Sequence, residues 1–546
     1  MPDNGLNDGG AEAPGTTHAR LPAEPAPDPV PEPEAASSSL ITARSGPRSV
    51  WWAPWLIAGF VFVVYVVLSL FRYLQFNPAS WDLGIFTEEV KQYAHLHAPI
   101  VDIRGAGFNL LGDHFSPIVA LIAPFFAIAP TPITLLVAQA ALTSVSVLPV
   151  TWVAAGKLGR RSGLAIGAAY GLSWGLQQMI DFDFHEIAFA LPLLAFSMAA
   201  LIRGRYRSSV LWALPLVFVK EDQGFTVAAL GVLMVVVSLW REDPRRSVRG
   251  PMLGGLFLVI WGIAWSVLAI AVIIPHFNPA HHYQYWNDGG ALSPGSSFGV
   301  GSSVRQFFTA WPTKLETTLL LLLPTAFIAL WSPLALIAVP SIVLRFLGTN
   351  PNFWGTLYHY NATAMTILFL AAVDAIARLR VTRGGDPFSE NHEKEPIGDR
   401  LAVPGPLTGW RPAVTTTIER HGAVAMLAIA AALIFQFPLS NLWQPGTYRL
   451  GSHQTDMRAA VARVPGGATV TTTLDLLAPL AARTDTFWIG NAGNPNTQYI
   501  VFDGTDSGYS PEPANIPSFV ASQHRGAHYQ VIFEAGDIWV FHRTGG

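Results

Sequence analysis

Acids, histidines and one lysine gather in five short stretches of this chain. Trp81-Asp82-Leu83-Gly84-Ile85-Phe86 lies just past the first strongly apolar run, Trp51 to Phe71, and is followed by Glu88, Glu89, His95 and His97. Gly112-Asp113-His114-Phe115-Ser116-Pro117 closes the same loop, and Asp181-Phe182-Asp183-Phe184-His185-Glu186, Lys220-Glu221-Asp222 and Tyr358-His359-Tyr360 come later. A carboxylate beside a membrane helix, such as Asp82, is placed to take a proton at the water–lipid boundary, and acids at such positions mark sites by default. A lysine near the membrane surface offers a point charge to a phosphate. The Asp181 to Glu186 stretch could hold a cation or orient an acceptor hydroxyl. Each stretch also has a plainer use. Asp82 would serve as the N-cap of a helix running through Glu88 and Lys91, Gly112 to Pro117 as a turn, and Lys220 as a side chain snorkelling to the headgroups.

The elements that must position these residues are membrane helices. Of 546 residues, 51% are hydrophobic and 13% are charged, too apolar for a soluble protein. Several runs approach the ~20 apolar residues needed to span a bilayer. Residues 1–50 hold nine prolines, seven acids and three arginines and read as a disordered cytoplasmic tail. The absence of cysteine excludes disulfides, zinc–thiolate sites and thiol nucleophiles.

Arginine-rich loops orient the helices. Lys157 to Arg161, Arg203 to Arg207, Arg241 to Arg249 and Arg378 to Arg383 are expected in the cytoplasm. Parity then makes Pro117 to Ala129 an interfacial or re-entrant helix and gives about eleven spans: 51–71, 132–156, 162–180, 187–202, 208–219, 223–240, 253–274, 315–331, 333–347, 362–378 and 420–440. The transmembrane part runs over 51–378, with outer loops 72–131 and 275–314. A flexible cytoplasmic linker over 379–418 and a last span within 419–441 follow. All five polar stretches fall on the outer face, opposite the arginines.

Beyond that span, residues 442–546 alternate helical and strand-like runs, with helices over His453 to Val464 and Leu474 to Ala482. Strands are expected at Ala468 to Thr472, Thr486 to Ile489, Gln498 to Phe502, Gln530 to Phe533 and Asp537 to Phe541. They predict a small extracytoplasmic α/β domain with Val470, Leu474, Phe487, Ile500 and Ile532 in its core. His276, His281 and His282 fit no metal-ligand spacing, and no phosphate-binding glycine loop, dinucleotide fingerprint, nucleophile elbow or basic face for nucleic acid is present.

The Asp82 motif, the Leu158-Gly159-Arg160-Arg161 end of a span and the later outer acids together resemble the GT-C glycosyltransferases. Trp81 to Phe86 with His114-Phe115-Ser116-Pro117 and Asp183-Phe184-His185-Glu186 is similar to a related family of predicted membrane proteins known as a domain of unknown function. The resemblance covers roughly residues 50–545 and implies a polyprenyl-phosphate-linked sugar as donor and a cell-envelope acceptor outside a bacterial plasma membrane. On that reading Asp82 is the general base and Lys220 holds the donor phosphate. Asp183, His185 and Glu186 orient the acceptor or a divalent cation, and His114 supports them. Glu88, Asp113, Asp181, Glu221, Asp222 and His359 are further acceptor or cation candidates. The chain departs from better-studied GT-C groups in its His-Phe-Ser-Pro sequence. Two other classes fit the same features: a lipid or solute transporter or flippase, and an inactive envelope scaffold.

Overall fold

Helix α1 (Ala53–Leu74) has no charge before Arg72, exposes Leu56, Phe60 and Val63, and buries Val61, Tyr65 and Leu68. That division suits a helix with lipid on one side and protein on the other. It belongs to a computed structural model that describes residues 52–78, 81–239, 249–286, 300–381, 412–506, 513, 515–524 and 526–545. The expected N-terminal tail, the 241–248 part of one arginine loop, the 287–299 part of the 275–314 loop and most of the 379–418 linker lie outside these residues.

After α1 come α2 (Asp82–Ala94), α3 (Pro132–Leu158), α4 (Trp174–Asp181), α5 (Gln223–Leu239) and α6 (Arg249–Leu268). The last continues through a π-helical stretch, Ala269–Ile273, into Ile274–Phe277. Helices α7 (Val339–Leu347), α8 (Ala362–Val381) and α9 (Pro412–Leu433) follow, with further shorter helices between them. Among the described residues five stretches are long and apolar enough to cross a membrane: Ala53–Leu74, Pro132–Leu158, Arg249–Phe277, His359–Arg380 and Val414–Gln436. Pro117–Ile128, Glu186–Ile202, Gln223–Leu239 and Pro333–Leu347 are shorter apolar helices.

Several of the eleven expected spans are therefore not continuous long helices. The run 162–180 divides between Arg160–Gly171 and α4, and 208–219 tightens from Tyr206–Ala213 into a 3-10 turn, Leu214–Phe218, at Pro215. The run 315–331 breaks where Ala326 and Phe327 adopt left-handed conformations, just after Pro324. Proline removes a helical donor, and left-handed residues turn the chain out of the helix.

Helix α3 runs through the core and carries Gln139, Thr143, Ser144, Ser146 and Thr151, all buried. The hydroxyls of Thr143, Ser144 and Thr151 donate to carbonyls four residues earlier, which satisfies them without a partner helix. Helices α5 and α6 touch through glycines: a Cβ on Gly231 would lie 2.5 Å from the Gly255 carbonyl oxygen. Backbone contact of that closeness holds α5, which begins directly after Lys220-Glu221-Asp222, against α6.

The C-terminal part contains α10 (Ser452–Arg463), β1 (Thr469–Thr472), α11 (Leu474–Ala481), β2 (Asp485–Trp488), β3 (Tyr499–Asp503), α12 (Ile516–Gln523), β4 (His528–Ala535) and β5 (Ile538–Gly545). The strand order is β2-β1-β3-β5-β4, with β1 parallel to β2 and β3, and β5 antiparallel to β3 and β4. Val470, Val501, Ile538 and Val540 pack with Met457, Ala460, Leu476 and Leu480 on one face, and Ile500, Phe502 and Phe541 with Val520 on the other. Phe487 is also buried, and Leu474 is partly buried against the Ile103 cluster. Ile532, expected in the core, is 41% exposed. It lies on edge strand β4 where the register shifts between Val531 and Phe533, and the shift turns its side chain outward. Helix α12 was not expected.

This sheet region rests on α2. A Cβ on Gly84 would meet Leu477 Cβ at 3.1 Å, Trp81 and Trp488 pack edge to face at 4.9 Å, and Lys91 Nζ donates to the Ala481 and Thr484 carbonyls at 2.9 and 2.6 Å. Glu88 is buried between them. It accepts from the Ile103 N–H at 3.2 Å and the Thr486 N–H at 3.0 Å.

Candidate functional site

The start of α2, the segment just after α4, the turn before α5 and the entry to α8 converge on a cavity of about 310 Å³. Asp82, His114, His185, Lys220, Glu221, Asp222 and His359 line it, as do Gln223, Tyr283, Tyr285, Arg345 and Tyr360. Asp82 is the first residue of α2, and Trp81 is the N-cap with no side-chain capping bond. The expected capping role therefore fails, and the carboxylate is placed in the cavity wall.

Lys220 holds a place between two acidic neighbours. Its Nζ is 3.0 Å from Glu186 Oε1, and Glu186 Oε2 is 2.7 Å from His185 Nδ1. Glu186 does not line the cavity but fixes two groups that do. Glu221 is saturated: its carboxylate faces His114 Nδ1 at 2.9 Å and accepts from the Phe115 N–H at 3.1 Å and the Tyr283 hydroxyl at 3.0 Å. Rings add rigidity, since His114 stacks on Tyr285 and His185 stacks on His359 with centroids 4.7 and 3.4 Å apart.

Charge follows from these contacts. Burial lowers the Lys220 pKa, but Glu186, Glu221 and Asp222 outweigh it and hold the ammonium well above its usual range. Burial raises Glu221, yet His114 and Lys220 bring its carboxyl down to about 2. For His114, burial and Lys220 act downward, while Glu221 and Asp113 prevail and raise it above the usual 6.5. The cavity thus presents the Lys220 ammonium beside the ionised Glu221 carboxylate.

Other expected site residues lie elsewhere. Asp181 pairs with Arg72 of α1 at 2.9 Å and Asp183 with the same guanidinium at 3.8 Å, and neither lines the cavity. Asp183 also has a positive φ of 64°, and Gln139 of α3 holds this turn by donating to the Asp183 carbonyl and accepting from the His185 N–H at 2.8 Å. Asp113 pairs with Arg104 at 3.0 Å and accepts from the Tyr285 hydroxyl at 3.2 Å. Glu88 joins α2 to the sheet region instead of the cavity.

The sequence reading missed Arg345, Gln223, Tyr283 and Tyr285, and it named Tyr360 only as a neighbour of His359. Arg345 donates from Nε and Nη2 to the Phe353 carbonyl at 3.0 and 2.8 Å, and from Nη1 to the Tyr360 carbonyl and Asn361 Oδ1 at 2.9 and 3.1 Å. Among the described residues no carboxylate forms an ion pair with it, so its positive charge acts on the cavity. A signal was present, because Arg345 is the one charge in the apolar run 333–347 and such charges are rarely idle.

With this geometry in place, comparisons with known proteins add two findings. The fold matches the crystal structure of ArnT from Cupriavidus metallidurans bound to undecaprenyl phosphate, with a TM-score of 0.50 at 13% identity, over 89% of this chain and 97% of that one. No curated protein sequence matches the chain. The family model described as "Predicted membrane protein (DUF2079)" matches residues 72–535, and the chain belongs to that family.

Proposed function

We propose that the protein is a membrane glycosyltransferase that moves a sugar from a polyprenyl-phosphate donor to a cell-envelope acceptor on the outer face. The observation that carries this reading is one cavity lined by the Asp82 carboxylate, the Lys220 ammonium and the Arg345 guanidinium. Its volume of about 310 Å³ suits the head of a lipid-linked sugar. The ArnT structure, which shares the fold, was solved with undecaprenyl phosphate bound.

In this mechanism Asp82 takes the proton of the acceptor hydroxyl as its oxygen attacks the anomeric carbon. The bond from that carbon to the phosphate oxygen breaks, and the leaving polyprenyl phosphate carries the negative charge. Lys220 donates to that phosphate, since Glu186 engages one of its three donors. Arg345 supplies a positive field from a fixed position, its donors being held by carbonyls. Preorganised charge of this kind stabilises the transition state without reorganising during the reaction. His185 and His359 stand ready to orient the acceptor.

Purified full-length protein incubated with a panel of radiolabelled polyprenyl-phosphate sugars and envelope extract tests the reading. Consumption of one donor, lost in Asp82→Asn, supports it. No consumption across the panel, or equal consumption by Asp82→Asn, overturns it.

A further inference from the structure

The C-terminal sheet carries a second group of chemically capable side chains, and none of them lines the cavity. His453 stands in the first turn of α10, Asp475 in the first turn of α11 just beyond β1, and Asp503 is the last residue of β3. One ligand atom from each lies within 4.8 Å of the other two. His453 Nε2 is 2.8 Å from Asp503 Oδ2, and the other oxygen of Asp503 accepts from both the N–H and the hydroxyl of Thr505 at 2.8 Å. The Thr505 bonds orient the carboxylate so that its other oxygen meets His453 Nε2, and a metal would take the place of that direct contact. The Asp503 side chain is fully buried, and among the described residues no lysine or arginine forms an ion pair with it or with Asp475.

The topology of the sheet points to the same place independently. Strand β1 lies between β2 and β3 and is parallel to both. From its carboxyl end the chain leaves through α11 toward β2, whereas from the carboxyl end of β3 it leaves toward α12 and the β4–β5 side. Adjacent parallel strands whose exits diverge leave a crevice at their carboxyl ends, the position where open α/β sheets bind ligands. Asp475 and Asp503 stand at the two sides of this crevice.

We propose that His453, Asp475 and Asp503 bind one divalent cation. One imidazole nitrogen with carboxylate oxygens and no thiolate suits Mn²⁺ or Zn²⁺. The ion joins α10, α11 and β3, and through α11 it braces the surface on which α2 rests. This inference is independent of the glycosyltransferase reading.

The test uses the full-length protein in detergent, stripped with a chelator and equilibrated with Mn²⁺ or Zn²⁺. Elemental analysis should find one bound ion per chain, and the melting temperature should rise on adding metal. Asp503→Asn and His453→Gln should weaken binding at least about tenfold. Asp475→Asn should also lose the metal-dependent rise, yet melt close to the metal-free wild type, because the amide keeps the shape of the carboxyl and can take over its hydrogen bond to Asp503. That last variant separates failure to bind from failure to fold. Absence of bound metal in the wild type overturns the proposal, as does full binding and an undiminished melting shift in all three variants.

Discussion

Asp82 begins α2 without capping it, so its charge can be removed at small cost to the helix. Asp82→Asn should lower stability by at most about 0.3–1 kcal/mol, the worth of a first-turn acid in the helix dipole. Donor turnover should fall by about 10²–10⁴, the usual contribution of a general base. Parallel melting and turnover assays check both halves. The Glu221–His114 pair gives a second prediction. His114 is raised from 6.5, so its contribution to stability is complete below that value and is lost as pH rises through the higher folded value. Glu221 is lowered from 4.5 to about 2, so its contribution is present above 4.5 and is lost as pH falls through about 2. His114→Gln should flatten the alkaline decline in a pH series of melting curves. At this scale the sequence was partly legible: residue type and apolar context marked Asp82, His114, His185, Lys220 and His359. The fates of Asp181 and Asp183 were not, since their partner Arg72 stands 109 residues before Asp181, and no local spacing records such a pairing.

Between elements, the contact of α2 with the sheet region depends on a buried carboxyl. Burial pushes Glu88 up to about 8 against the opposing pull of Lys91 and two backbone N–H groups. A raised carboxyl pKa favours the protonated folded state, so stability should decline as pH rises from about 4.5 to about 8. Glu88→Gln cannot ionise, and its amide would face one of the N–H donors. It should therefore melt below wild type in acid but show a shallower decline toward pH 8, and equal slopes for the two proteins would refute the assignment. Hydrophobic runs revealed where helices lie but not where they break. Pro215 and Pro324 were visible, but the left-handed Ala326 and Phe327 arise from tertiary packing that composition does not encode. Strand alternation located all five strands, while the bulge that exposes Ile532 carries no such mark.

For the whole molecule, the arginine distribution predicts which end faces the cytoplasm. Lys157 and Arg380 already meet in the fold, with an Arg380 Nη1 to Lys157 carbonyl distance of 3.5 Å. Because the chain has no native cysteine, Ala106→Cys, Ala462→Cys and Arg161→Cys can be labelled singly. In intact cells an impermeant reagent should modify the first two and spare the third, and the reverse pattern would invert the topology. The closure of α2 by the sheet region also has a meaning in time. Glu88 bonds to Thr486, 398 residues later. At about 5–20 residues per second, a ribosome needs roughly 20–80 s to make that interval. During synthesis the helix that starts with Asp82 waits for Thr486 before this support arrives. A nascent protein would thus sit in the membrane with α2 unsupported, and synthesis of the sheet region becomes the event that fixes the helix beside the cavity.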